Sequence, residues 1–314
     1  MKKAITIISD NNKGKFISKG FSNAFKKLSF FVYDMKIYDF DVNAINKIAP
    51  DIIFIFWSDI REKSELQNSI EAISCDVDFI HCAEFLDDIP QNFQKMKGHY
   101  IFAGDNKNKK NKYIQPVSAS DYKAYFNGYK YNITFAGNPS YKNREIILSQ
   151  LIKNFGRINI FSRSFDFYKS LDEIAGQKLL NEYELELYNN SYKGCADSTK
   201  ELADIYASSK INIDIANERF KDINYRLLEI TASGGFVIAP FSIGAAKQYD
   251  KGKDIETYRD IYELTDKTEF YLKNTNLAQM IALNGKKNTV SNFSYYDKLK
   301  TMLKVIYGKN FSSR

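Results

Sequence analysis

Cysteine is scarce in this sequence, and so is histidine. The three cysteines, Cys75, Cys82 and Cys195, are an odd number without metal-ligand spacing. That points away from a disulfide framework and from a structural zinc site, and toward reduced cytoplasmic thiols. The acidic residues likewise show no metal-ligand spacing. No apolar run approaches the roughly 20 residues needed to cross a bilayer. The opening "MKKAITIISDNN" has two lysines, a short apolar run and no small-residue cleavage site. It reads as a first strand and not as a signal peptide. Short internal repeats and recognised nucleic-acid motifs are absent too.

What is present is material for a large core. Of 314 residues 44% are apolar, with 24 Phe and 22 Tyr. These aromatics recur at core periods, which argues against base-stacking platforms. The formal net charge is +7, with lysines dispersed among asparagines along the chain. The one dense run, "NKNKKNK" at 106–112, reads as a solvated loop, with an anionic partner such as a membrane or charged acceptor as the alternative.

Strand and helix patterns alternate through the first third of the chain. Strands are expected at 4–10, 30–35, 51–59, 77–83 and 99–104, with helices at 15–28, 41–49 and 62–74. The run "DIIFIFWSD" is almost unbroken in apolar residues, as suits a parallel sheet covered on both faces. A polar stretch rich in Lys, Asn and Tyr follows, and a domain boundary is expected at 116–130. A second series has strands at 131–137, 157–162, 210–216 and 236–241. Its helices are expected at 142–156, 198–209, 260–273, 275–284 and 294–308, with 166–190 helical or irregular around Gly176. Gly156 can end the first of these helices, and Ser198 with Glu201 forms a capping-box pattern. The pattern is that of two α/β sheets in tandem.

The segment "DINYRLLEITASGGFVIAP", 222–240, carries the most chemistry. Asn224 suits an N-cap, with Ile223 and Leu228 as a hydrophobic staple. The first-turn amides of such a helix favour a phosphate, and Arg226 in that turn can fork onto phosphate oxygens. Glu229, three residues on, can accept two hydrogen bonds from a vicinal diol such as a ribose. Gly234 and Gly235 end the helix and allow close packing on the sheet. The site would lie at the carboxyl end of "KINIDIA", where open α/β sheets bind ligands. The spacing alone equally allows an ordinary surface ion pair between Arg226 and Glu229, worth a few tenths of a kcal/mol.

The stretches "IYASSKINIDIA", "NYRLLEITASGGFVIAP", "IETYRDIYELTDKTEFYLKN" and "LNGKKNTVSNFSYYDKL" resemble the CgeB-type glycosyltransferase-like proteins of the GT-B class. "YNITFAGNPSYKNREIILSQL" is similar to the opening of their C-terminal domain. The likeness spans roughly 131–306; the N-terminal third fits in architecture only. It implies two Rossmann-like domains with parallel sheets facing an interdomain cleft. Residues 1–120 would be the acceptor side and 121–290 the nucleotide-sugar donor domain, with a helix in 291–314 crossing back. It also implies that Glu229 holds the donor ribose, that Asn224 and Arg226 contact the diphosphate, and that Asn138 and Arg144 face the same ligand. GT-B enzymes generally need no bound metal; the helix tip and Arg226 would supply the positive charge. Two departures stand out. The glutamate expected eight residues before Glu229 is Lys221, with Glu218 and Asp222 out of register, which leaves the stereochemical outcome open. Asp297 replaces a commonly basic residue in the last helix.

Outside this segment, His81 ends "VDFIH" and could accept a proton from an acceptor hydroxyl; a half-buried structural histidine is the plainer reading. Asp10 and Asp59 also follow strands, where they are more often caps. Arg163 follows "RINIFS" and could reach a base or phosphate. The single glycine of "NNKGKF" is a weak phosphate-loop signal. The expected protein is a cytoplasmic or membrane-peripheral glycosyltransferase. It would move a sugar from a nucleotide-diphosphate donor to a hydroxyl on a glycan, glycolipid or protein, with no nucleic-acid partner and no cofactor. A nucleotide-sugar processing enzyme and a non-catalytic nucleotide- or sugar-binding scaffold are the alternatives.

Overall fold

The computed structural model describes residues 1–9, 12–58, 60, 63–83, 88–89, 98–102, 122–216 and 223–308. The chain divides into two compact units, Met1–Ser118 with Phe293–Arg314, and Ala119–Asn292. No described helix is long and apolar enough to cross a membrane.

In the first unit, β1 (Lys3–Ile8), β2 (Phe31–Lys36), β3 (Ile52–Phe56), β4 (Asp78–Ala83) and β5 (His99–Phe102) form one parallel sheet in the order β2-β1-β3-β4-β5. Its β-branched central strands are buried on both faces, as parallel packing requires. Helix α1 (Asn12–Lys27) buries Ile17, Phe21, Ala24 and Phe25 and exposes Lys15, Lys19, Lys26 and Lys27. Helices α2 (Val42–Ile48) and α3 (Lys63–Glu71) link the next strands. Phe21 meets Phe54 of β3 at 4.4 Å between ring centroids, and edge-on meets Tyr295 of the terminal helix at 5.1 Å.

The second unit repeats the plan. Strands β6 (Tyr131–Ala136), β7 (Asn159–Phe161), β8 (Ser209–Ile213), β9 (Val237–Pro240) and β10 (Glu256–Tyr258) form a parallel sheet ordered β10-β9-β8-β6-β7. Helix α4 (Lys142–Phe155) ends at Gly156, whose positive φ closes it. The segment around Gly176 forms two helices, α5 (Ser164–Gly176) and α6 (Glu182–Asn189), with Lys178 left-handed between them. Asn181 and Glu184 make a full capping box that starts α6. In α7 (Thr199–Ala207), Ser198 accepts from the Glu201 amide, and the Glu201 carboxylate reaches the Asp197 amide one residue before the cap.

Helix α8 (Tyr225–Ser233) is capped as its sequence indicates. Asn224 accepts from Leu227 N at 2.9 Å, and Gly234 ends the helix at φ 82°. Gly235 lies so close to the Tyr206 carbonyl that a side chain there would force the two apart. Helices α9 (Ile243–Gln248), α10 (Ile261–Lys273) and α11 (Thr275–Asn292) complete the unit. Helix α12 (Tyr295–Tyr307) belongs to the first unit, where Tyr295 packs against Gly20 of α1.

Both sheets run outward from a first strand, β1 or β6, and then cross to its other side. The reversal falls between β1 and β3 in one and between β6 and β8 in the other. Such a switch point is where an open α/β sheet leaves a crevice at its carboxyl edge.

Candidate functional site

The second switch point is lined by charge. Arg226, in the first turn of α8, reaches back across it. Its Nε donates to the Ala136 carbonyl ending β6 at 2.7 Å, and its Nη1 to Ile215 O at 3.1 Å and Asp214 Oδ1 at 3.0 Å, just beyond β8. Arg144, in the first turn of α4, donates from Nε to the same Ile215 carbonyl at 3.1 Å and from Nη1 to Asn138 O at 2.7 Å. Both guanidinium groups lie over the Phe135 ring, at 5.8 Å for Arg144 and 5.0 Å for Arg226. The Nη2 atom of each has no hydrogen-bond partner among the described residues.

The Asp214 carboxylate faces these two cations. Asp214 is fully buried; Oδ1 takes Arg226, and Oδ2 accepts from Asn224 Nδ2 at 2.5 Å. Asn224 thus caps α8 with its oxygen and ties it to the sheet with its nitrogen. Burial is the largest influence on Arg226 and opposes its charge, but Asp214, Tyr206 and Glu229 together outweigh it and raise the pKa. Arg144 lacks that partner at contact distance. Burial, with the Arg226 charge adding to it, lowers its pKa to about 10, which leaves it cationic at neutral pH.

Asn138 connects this pair to the end of β7. Its Nδ2 donates to Asp166 Oδ1 at 3.0 Å, and Arg163 Nε donates to Asp166 Oδ2 at 2.8 Å. The Arg163 side chain is 71% exposed, so most of its guanidinium meets solvent. Gly137 precedes Asn138 at φ 148°, and a Cβ there would collide with Arg226 Nη2. Glycine therefore leaves that nitrogen its room.

Glu229 lies one turn deeper in α8 and is only 8% exposed. Its Oε1 accepts from the Tyr122 hydroxyl at 2.8 Å, and the buried Tyr206 phenol lies within reach of its charge. Burial and the Glu229 charge push the Tyr206 pKa well up, so its proton stays in place. The Tyr122 hydroxyl also lies 3.1 Å from that of Tyr225.

Thus Asn138, Arg144, Arg163, Asn224 and Arg226 gather at the carboxyl edge of the second sheet, with Glu229 beside them in α8. The surface ion pair that the spacing allowed is not formed, because Arg226 turns to Asp214 and the strand carbonyls. His81 requires a correction. It lies within β4, wholly buried in the other unit, and its Nδ1 accepts from the Trp57 indole at 3.0 Å. It stacks on Phe79 and Trp57, and burial, with His99 adding to it, lowers its pKa to about 4. It is a neutral core side chain and not a base poised for an acceptor. Asp10, Asp59, the 106–112 run, Glu218, Lys221 and Asp222 lie outside the described residues.

Sequence reasoning missed Asp214, Tyr122, Tyr206 and Gly137. Asp214 did carry a signal, a lone acid ending an apolar strand. Tyr122 carried none, being 107 residues from Glu229.

A family model described as Glycosyl transferase-like matches residues 144–304, more than half of the chain. The chain belongs to the glycosyl transferase-like family. Comparison with curated proteins gives no match. Among solved structures, a glycosyltransferase from Rickettsia africae ESF-5 aligns at TM-score 0.68 and 13% identity, over 98% of this chain and 99% of that one. Anabaena Alr3699/HepE, in complex with UDP and glucose, aligns at TM-score 0.66 and 11% identity, over 98% and 100%. The sucrose-phosphate synthase of Thermosynechococcus elongatus aligns at 0.60 and 11%, over 98% of each. At these identities the likeness is one of fold, and the fold is GT-B. The matched family segment of this glycosyltransferase begins at Arg144 and contains Arg163, Asp214, Asn224, Arg226 and Glu229.

Proposed function

We propose that this glycosyltransferase moves a sugar from a nucleotide-diphosphate donor to an acceptor hydroxyl on a cell-surface glycan or glycolipid precursor. The observation that carries the reading is the pair of buried guanidinium groups, with one carboxylate between them, at the switch point beside the amino end of α8. These two cations lie where the first-turn amides of α8 also point. A diphosphate would be held through the Nη2 atoms of Arg144 and Arg226. Glu229 takes the ribose hydroxyls once the Tyr122 hydroxyl gives way, and exposed Arg163 reaches the donor from the end of β7.

Charge develops on the departing diphosphate as the glycosidic bond to the sugar breaks. Fixed guanidinium groups and helix amides stabilise it there without reorganising. No metal is needed in this reading, so EDTA should leave turnover unchanged. The HepE structures hold UDP and UDP-glucose, which makes uridine the first base to test. The finer kinship, with CgeB-type proteins, rests on the Asn224, Arg226 and Glu229 spacing and belongs to the same proposal. A membrane-bound acceptor would find complementary charge on α1, whose exposed lysines have no acid in that helix. That would make the enzyme peripheral to the inner face of the membrane.

Titration calorimetry with UDP-, GDP-, ADP- and CDP-sugars tests the donor site. Binding of one nucleotide class, weakened strongly by Glu229→Ala with the fold retained, is the expected result. If none binds, the donor reading fails. Donor binding without transfer, but with slow hydrolysis to free sugar and nucleotide, would favour the processing alternative.

A further inference from the structure

Asp214 sits where two parts of the site must be held together. It closes β8, its side chain is fully buried, and its two carboxylate oxygens face different directions. Oδ1 takes the Nη1 of Arg226 at 3.0 Å, and Oδ2 takes the Nδ2 of Asn224 at 2.5 Å. Its backbone is pinned as well, since its amide donates to Ile238 O at 3.0 Å and its carbonyl accepts from the Tyr258 hydroxyl at 3.1 Å. The group is therefore a rigid fork, one tine on a guanidinium and one on the cap of α8.

We propose that Asp214 is a positioning residue for the donor diphosphate: it orients Arg226 so that Nη2 faces the space beside Gly137, and it registers the amino end of α8 against the same space. It touches no substrate itself. The inference rests on the donor reading given above and assigns a role within it. An arginine has several rotatable bonds, and an unheld guanidinium would lose the preorganisation that lets it meet a phosphate at little cost. Asp214 supplies the geometry, while Ala136 and Ile215 carbonyls supply the remaining constraints.

The test is a double-mutant cycle read as the ratio of nucleoside to nucleoside-diphosphate dissociation constants. Uridine and UDP are the first probes, followed by the guanosine, adenosine and cytidine pairs if wild type does not bind UDP. Asp214→Asn should cut the advantage of the diphosphate by roughly tenfold or more, while the nucleoside constant moves by less than about threefold. Arg226→Gln should cut it similarly. The double variant should be no worse than Arg226→Gln alone, because Asp214 acts through Arg226. That double variant places two neutral amides in contact, so it remains informative even where Asp214→Asn folds poorly. Equal weakening of nucleoside and diphosphate, or additive losses in the double variant, would reduce Asp214 to a general structural role and overturn the inference. A wild-type protein that binds no nucleotide at all would instead remove the donor reading on which it stands.

Discussion

Replacing Tyr122 by phenylalanine should tighten nucleotide binding while weakening the fold. The Tyr122 hydroxyl donates to Glu229 Oε1 at 2.8 Å, on the carboxylate assigned to the ribose. A hydrogen bond to a charged group contributes about 1.5–3 kcal/mol net. The phenylalanine ring keeps the packing of the tyrosine, which places the loss at the lower end. The unliganded variant should therefore lose about 1.5 kcal/mol of stability. The bound state has already given up that contact, so nearly the same free energy returns as affinity, roughly tenfold in the UDP dissociation constant. Denaturant unfolding without ligand gives the first number and calorimetry with UDP the second. Tyr206→Phe is the control: it removes a buried hydroxyl near Glu229 that no step of the donor reading displaces, so it should destabilise without tightening. Unchanged or weaker UDP binding in Tyr122→Phe would refute displacement of the tyrosine by the donor.

Three further outcomes are expected. His81 titrates near 4 in the fold against 6.5 in the unfolded chain, so protons bind the unfolded state first and stability falls as pH drops between those values. Between pH 7 and pH 5 wild type should lose about 2 kcal/mol more than His81→Gln, and parallel urea-unfolding curves would contradict this. Gly137→Ala combines a positive φ with a collision at Arg226 Nη2; UDP binding should weaken at least roughly tenfold, measured by calorimetry. Gly20→Ala drives a methyl into the Tyr295 ring and should cost about 1–3 kcal/mol of stability in chemical denaturation by prising α12 from α1.

The legible parts of the fold were those with local causes. The N-cap at Asn224, the left-handed stop at Gly234 and the close approach at Gly235 all follow from residue chemistry within α8. The apolar run of β3 announced a covered parallel strand. Short elements were hidden: β10 has three residues and α9 six, too few for any period to emerge. Around Gly176 the pattern left helix and irregular structure open, because the capping box at Asn181 restarts a helix only a few residues after α5 ends. Spacing alone left a surface pair between Arg226 and Glu229 open for a different reason. Helical side chains lean toward the amino end, so Arg226 leaves α8 for the strand carbonyls, and a tyrosine distant in sequence claims Glu229. Asp214, Tyr122 and Tyr206 are tertiary partners, and nothing in spacing along the chain could pair them.

The two sheets share one strand order, so topology alone would allow a ligand at either switch point. Around the carboxyl ends of β1 and β3 the described residues include Ser9, Trp57 and Ser58, with the Trp57 indole turned to His81 and Ser58 donating to Asp88 at 2.7 Å. Around those of β6 and β8 the described residues include two guanidinium groups and the Asp214 carboxylate. Burying a guanidinium costs free energy where desolvation is not fully offset, and Arg144 shows this in its lowered pKa. An anion bound beside it would relieve that cost, so its binding free energy would also appear as stability of the unit. Topology permits a ligand at either edge. The guanidinium groups beside β6 and β8 would favour a polyanion at the second; neutralising Arg144 spares the Arg226–Asp214 pair, whereas Arg226→Gln should destabilise the empty protein as well as weaken the nucleotide, because it leaves Asp214 buried without its cation.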